Sequence, residues 1–279
     1  MSAGRAQAPV PLAEARAESE FGGKAVQLGA AIRAGLPVPD GLALPYAFVE
    51  AVAAGEEESI AALLEKFAAL DGAVSVRSSG VGEDSGQTSF AGQHATVLNV
   101  RGEDEMLDAV RAVHDSAHGA DATAYREMLG VEGMPRIGVV IQLLVEPETA
   151  GVIFTRHPVS GAEERVIDAS WGLGEAVVGS LVAPDNYRLD SSGQVLERTA
   201  GRKDVELRIL PGGGVERTPV AAERARELCL SDADLAALND LASACERVYE
   251  GDQDIEWAIA AGRVWLLQRR PLTAIGGAK

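Results

Sequence analysis

Cysteine is scarce in this 279-residue chain, which contains only Cys229 and Cys245. Both lie in "RELCLSDADLAALNDLASACERVYE", whose helical and apolar character fits buried thiols rather than a metal or redox motif. No apolar run approaches the roughly 20 residues that span a bilayer. The opening "MSAGRAQAPVPLAEARAESE" also lacks the apolar middle of a secretory leader. A cytoplasmic location with no membrane partner is therefore the expectation. Positive charge is in deficit: 25 Lys and Arg against 42 Asp and Glu give a formal charge of −17. That balance argues against a general nucleic-acid surface, because a phosphate backbone would be repelled. A polyanionic ligand needs a locally basic pocket instead. Two familiar nucleotide motifs are missing as well. "GVGEDSG" lacks the Gly-Lys-Ser/Thr ending of a Walker loop, and "WGLGEAVVG" has no later acid placed for a ribose. No internal repeat and no long linker interrupt the chain, so one α+β unit is the simplest organisation.

With 47% hydrophobic residues the chain can bury a substantial core. Residues 1–20, rich in Ala, Pro and Glu, read as a flexible N-terminal segment, with order beginning near Phe21. "GGKAVQLGAAIRAG" is a short helix opened by Gly22 and Gly23 and stopped by Gly35 and two following prolines. "YAFVEAVAAGEEESIAALLEKFAAL" holds one or two helices and precedes a strand, "AVSVR". "RIGVVIQLLV", "AGVIFT" and "ERVIDAS" are strands separated by turns at Pro147, Pro158 and Gly161. Apolar residues at Leu235, Leu238, Leu241, Ala242, Cys245 and Val248 mark a helix, capped by Ser231 with Asp234. "DIEWAIAAGRVWLLQRRP" reads as a β-hairpin turning at Gly262. That register sets Glu256 opposite Gln268 and places Asp254, Glu256, Gln268 and Arg270 on one face. Ile255, Trp257, Ile259, Trp265 and Leu267 are expected on the other, core-facing side.

The groups left over are Lys24 at a glycine-rich helix start, Arg77 at a strand end before a small-residue loop, and the polar face of the hairpin. Each has an ordinary reading: a solvated lysine, an arginine paired with Glu83 or Asp84, an exposed cross-strand pair. Together they suit a nucleoside triphosphate. Two cations on separate elements clamp phosphates, and arginine supplies a fork that lysine lacks. Glycines admit backbone N–H groups to phosphate oxygens. A carboxylate with an amide oxygen holds Mg²⁺ while phosphates and water complete its shell.

Five stretches carry a family resemblance: "GGKAVQLGAAIRAGLPVPDG", "VSVRSSGVGEDSGQTSFAGQHATVLNV", "AGVIFTRHPVSG", "ASWGLGEAVVGSLVAPDNY" and "DIEWAIAAGRVWLLQRRPLT". In this order they resemble the N-terminal ATP-binding domain of the phosphoenolpyruvate synthase, pyruvate phosphate dikinase and rifampicin phosphotransferase family. The resemblance implies an α+β ATP-grasp fold over residues 21–275, two lobes with the nucleotide cleft between them. It also implies ATP and Mg²⁺ as cofactors. By the same resemblance Lys24 and Arg77 contact phosphates, and Gly92 and Thr96 belong to a lid loop. Val145, Glu146 and Pro147 border the adenine, Glu256 and Gln268 ligate Mg²⁺, and Arg270 lies near the transferred phosphate. Lys24, Arg77 and Arg270 are the implied catalytic set. A direct nucleotide role for Glu175 stays open beside a packing role for Trp171 and its neighbours.

Two departures stand out: "FTRHP" where relatives commonly read Phe-Thr-Ala-Asn-Pro, and Gly80, Gly82 and Gly86 in the loop after Arg77. His94, His114, His118 and His157 lack the surroundings of the family's phosphorylated histidine and read as surface residues. The family passes the β-phosphoryl group of ATP to a histidine on a separate swivelling domain, releasing AMP and phosphate. The expectation is therefore an ATP-binding phosphotransferase subunit that works with a phospho-histidine domain protein and an acceptor-binding protein. A free-standing kinase acting on a small molecule, and a non-catalytic ATP-binding module, are the alternatives.

Overall fold

The segment around Arg77 folds as a strand because valines alternate with small hydroxyl residues, giving one apolar and one polar side. The structure, a computed structural model, describes residues 8–80, 95–119 and 135–272. It divides into two units, residues 1–30, 40–144 and 211–214 in the first and residues 31–39, 145–210 and 215–279 in the second.

The first unit is built on β1 (Val10–Pro11), α1 (Glu18–Arg33), β2 (Gly41–Leu44), α2 (Tyr46–Ala53), α3 (Glu57–Ala68), β3 (Val74–Gly80), β4 (Thr96–Val100), α4 (Glu103–His118) and β5 (Ile137–Leu143). Its antiparallel sheet runs β1-β2-β5-β3-β4. Val74 and Val76 of β3 join Val139 and Ile141 of β5 in a core closed by Phe48, Val52, Leu63, Met106 and Val113. Helices α2, α3 and α4 therefore cover one sheet face, and Ser75, Arg77 and Ser79 point to the other by strand alternation. The "one or two helices" of the sequence are two, α2 and α3, parted where Gly55 takes φ +83°.

Order starts before the expected Phe21. Val10 pairs with Ala43, and Leu12 and Ala15 are buried. The composition of this stretch hides two apolar anchors, which repay the cost of fixing the chain.

The second unit comprises β6 (Thr149–Phe154), β7 (Glu164–Trp171), the single turn α5 (Glu175–Val178), β8 (Asp185–Asp190), β9 (Val195–Thr199), β10 (Val205–Ile209), β11 (Val215–Pro219), α6 (Asp232–Val248), β12 (Gln253–Ala260) and β13 (Arg263–Pro271). Its main sheet runs β13-β12-β6-β7-β8-β9, with β10 and β11 as a separate ribbon. Ile255, Ile153, Ile167 and Tyr187 form a buried row across four strands. Helix α6 packs on this sheet through contacts with β6, β12 and β13, burying Leu235, Leu238, Leu241, Ala242 and Cys245. Its capping box is the expected one: the Ser231 Oγ accepts from the Asp234 N–H at 3.2 Å, and the Asp234 carboxylate accepts from the Ser231 N–H at 2.9 Å. Both cysteines are buried. Among the described residues no helix is long and apolar enough to cross a membrane.

Candidate functional site

In the first unit the glycine-rich start of α1 is pressed against the polar side of β3. Gly22 has φ +77°, and a Cβ there would run into the Ser79 carbonyl. Gly138 pairs with Ser79 in the sheet, and a Cβ at Gly138 would meet the Phe21 carbonyl. These two glycines let the chain lie flat on the strands before it turns into the helix. The Ser79 Oγ then accepts the backbone N–H of Ala25 at 3.0 Å, serving as a cap from 54 residues away. Lys24 thus occupies the first turn of the straight part of α1, fastened to the strand that carries Arg77. Arg77, half-buried, stands opposite Thr96 on β4 and opposite Val140 on β5. A lysine, an arginine and a threonine hydroxyl are therefore assembled on one side of this sheet. Gly92, with Gly82, Glu83, Asp84, Gly86 and His94, lies outside the described residues.

Val145, Glu146 and Pro147 follow the end of β5, where the chain passes from the first unit to the second. Glu146 is exposed and its neighbours are half-buried.

In the second unit the hairpin register is the expected one up to Glu256. Asp254 pairs with Arg270 and Glu256 with Gln268, and the Arg270 Nε donates to the Asp254 Oδ2 at 2.7 Å. Burial holds the Asp254 carboxyl above its usual range, outweighing the lowering effect of Arg270, and Glu256 pushes it further the same way. Beyond this point the sequence expectation fails. The ladder slips between Glu256 and Trp257, so that Trp257 faces Leu266 and Ala258 faces Trp265. This bulge inverts the alternation of β13. Leu266 is buried in place of Leu267, and Trp265 shares the face of Glu256 and Gln268, with the Arg263 guanidinium 3.8 Å from its ring centre.

The same face carries a carboxylate that the sequence reading passed over. Glu256 pairs with Val152, Val152 with Asp168, and Asp168 with Asn186, forming one row across the sheet. The Asn186 amide donates to the Asp168 Oδ1 at 2.8 Å. An acid inside the apolar run "RVIDAS" was the available signal.

The "APDNY" stretch has a structural job here. Asp185 is fully buried, ion-paired with the equally buried Lys203, and accepts the N–H groups of Gly201 and Cys229, each at 2.7 Å. The departure "FTRHP" is likewise self-contained. The Arg156 Nε donates to the Asp252 Oδ2 at 2.8 Å, and the His157 Nδ1 accepts from the N–H groups of Val159 and Ser160, each at 3.2 Å. Trp171 is half-buried rather than core, its indole N–H donating to the Arg224 carbonyl at 3.2 Å.

Residues 47–279 match the family model described as pyruvate phosphate dikinase, AMP/ATP-binding domain. A probable phosphoenolpyruvate synthase from Methanothermobacter thermautotrophicus is 41% identical over 223 residues, covering 79% of this chain and 32% of its own. The prodigiosin synthesizing transferase PigC of Serratia marcescens is 35% identical over 281 residues, covering 91% of this chain and 31% of its own. A rifampicin phosphotransferase from Streptomyces sviceus is 37% identical over 205 residues, covering 73% and 24%. The chain thus spans about a third or less of these relatives. Among similar solved structures, D-alanine-D-alanine ligase from Helicobacter pylori aligns over 94% of this chain and 56% of its own with 12% identity and a TM-score of 0.43.

Proposed function

The chain belongs to the pyruvate phosphate dikinase AMP/ATP-binding domain family, and from that premise we propose that it binds ATP with Mg²⁺ and passes a phosphoryl group to a histidine on a separate protein domain. Family membership over residues 47–279 is the observation that carries this reading. The geometry agrees with it in both units. In the first, Arg77 sits in the middle of β3 rather than at the expected strand end, and the straight part of α1, with Lys24 in its first turn, is capped by Ser79 of the same strand; in the second, Glu256, Gln268 and Arg270 share one hairpin face.

Lys24 and Arg77 hold phosphate oxygens in this proposal, and Thr96, expected in a lid loop, instead stands on β4 directly opposite Arg77, where its hydroxyl joins them. Val145, Glu146 and Pro147 border the adenine. Glu256 and Gln268 fit Mg²⁺ because a carboxylate and an amide oxygen, opposite one another on paired strands, are the hard oxygen donors that this ion takes. Such an ion neutralises charge on the phosphates it touches. Arg270, oriented by the buried Asp254 carboxylate, places a guanidinium where charge develops on the transferred group. No side-chain nucleophile is needed, since positioning and charge neutralisation do the catalytic work in phosphoryl transfer.

The family chemistry divides ATP into AMP, inorganic phosphate and a phosphoryl group on the acceptor histidine. The test supplies the chain with ATP, Mg²⁺ and the histidine domain of a full-length relative, and follows products by ³¹P NMR. AMP and phosphate appear together with a phosphohistidine signal if the reading is right. ADP as the sole product overturns β-phosphoryl transfer. Turnover on a small molecule with no protein acceptor favours a free-standing kinase instead.

A further inference from the structure

Three metal-ligating side chains meet where α2 and α4 lie side by side. On α4 the buried stripe is Met106, Ala109, Val110, Val113 and Ala117. His114 and His118 follow the last two of these and are one helical turn apart, so they share a face at the margin of the stripe. Glu50 follows the buried Val49 on α2 and reaches the same margin. One ligand atom from each of Glu50, His114 and His118 lies within 4.8 Å of the other two.

Hydrogen bonds orient both rings. The Nδ1 of His118 donates to the His114 backbone carbonyl at 2.9 Å, which leaves the lone pair on Nε2. The Nδ1 of His114 lies 3.0 Å from the Asp115 carboxylate and its Nε2 3.2 Å from the Glu50 Oε2; in the tautomer whose Nδ1–H is held by Asp115, the Nε2 lone pair faces Glu50. An imidazole anchored through one nitrogen to a carboxylate or a backbone carbonyl is oriented to ligate through the other. The Nε2 lone pair of His114 and the Glu50 oxygen repel one another unless a positive centre lies between them. A proton meets that need for two groups. The second imidazole, with ring centres 4.4 Å apart, makes the position a three-point chelate.

We infer that Glu50, His114 and His118 bind one divalent transition cation, with Zn²⁺ the best match. Two imidazole nitrogens and one carboxylate oxygen are a standard zinc donor set with a fourth position for water. Metal–ligand bonds of about 2.0–2.1 Å at tetrahedral angles hold ligand atoms roughly 3.4 Å apart. Small side-chain rotations therefore close the present cluster. The ion ties α2 to α4 on the helix-covered side of the first sheet, the side opposite Arg77. It is thus a separate site from the phosphate-directed groups, and it stands whether or not the proposed phosphotransfer does.

The test titrates the full chain with Co²⁺ in a large excess of Mg²⁺, which occupies oxygen-rich sites. One equivalent is taken up with an intense visible d–d band, and Zn²⁺ displaces it. His118→Ala abolishes the band while far-UV circular dichroism is unchanged. Glu50→Gln weakens uptake, and Asp115→Asn, which touches no metal, weakens it about tenfold. His114→Ala serves as a second variant that removes the band. A histidine–carboxylate ion pair and nothing more gives no d–d band. That outcome, or a band that survives both histidine substitutions, overturns the assignment.

Discussion

Glu256 stands directly across from Gln268, and the ladder of β12 and β13 slips immediately after this pair. The bulge turns Trp265 onto the same face and removes Leu267 from the core, so the hairpin combines an acid, an amide, an arginine and an indole on one surface. Glu256→Ala removes the only carboxylate of the proposed Mg²⁺ pair. Turnover of ATP to AMP should fall by at least about 10²-fold, in line with losing one group that stabilises developing charge. The thermal midpoint should hardly move, because Glu256 is only half-buried. Measured AMP release unchanged in this variant removes Glu256 from the site.

Arg77 makes a sharper comparison, since two substitutions separate charge from shape. Arg77→Ala should lower ATP turnover by about 10²-fold or more with the fold intact. Arg77→Lys keeps the charge but loses the planar fork, so it should recover only a part of that loss. Equal activity of the lysine variant and the original chain, read from initial rates at saturating ATP, shows that Arg77 does not bind phosphate bidentately.

The contrast between these two sites shows what the sequence discloses. The Glu256–Gln268 register was legible because Gly262 fixes the hairpin turn and alternation does the rest. The bulge was not, since nothing in "WLLQRR" marks which leucine is displaced; the choice rests on packing of Leu266 beneath Trp257. Lys24 was legible as a glycine-preceded helix start. Its attachment to β3 was not, because the cap is Ser79, supplied from 54 residues away. Asp168 was hidden inside an apolar strand, visible only once β6 and β7 set it in the row of Glu256. His114 and His118 read as surface residues until α2 brought Glu50 beside them.

Gly22 tests how the first-unit cations are held. Its φ of +77° is costly for any other residue, and a Cβ would also strike the Ser79 carbonyl. Gly22→Ala should therefore destabilise the protein by about 1–3 kcal/mol from the backbone alone, measured by denaturant unfolding. It should also weaken ATP binding, since the start of α1 must lift from β3 and carry Lys24 with it. A variant with full stability shows that the close approach at Ser79 is not a constraint.

The two thiols give a test in the alkaline range. Burial pushes Cys245 up to about 12. Cys229 is raised as well, by burial and then by the neighbouring Asp185 carboxylate, and burial likewise raises Tyr187. In the unfolded chain a cysteine loses its proton near pH 8.5. Above that value the unfolded state binds fewer protons than the folded one, so the stability of the fold declines as pH rises. Below it the contribution is fully present. Urea midpoints should accordingly be flat from pH 7 to 8 and fall from about pH 9 upward. At pH 8 a thiol reagent should find neither cysteine in the native protein and both in the denatured chain. Rapid labelling of Cys245 in the folded state would place it at an opening in α6 rather than in the core.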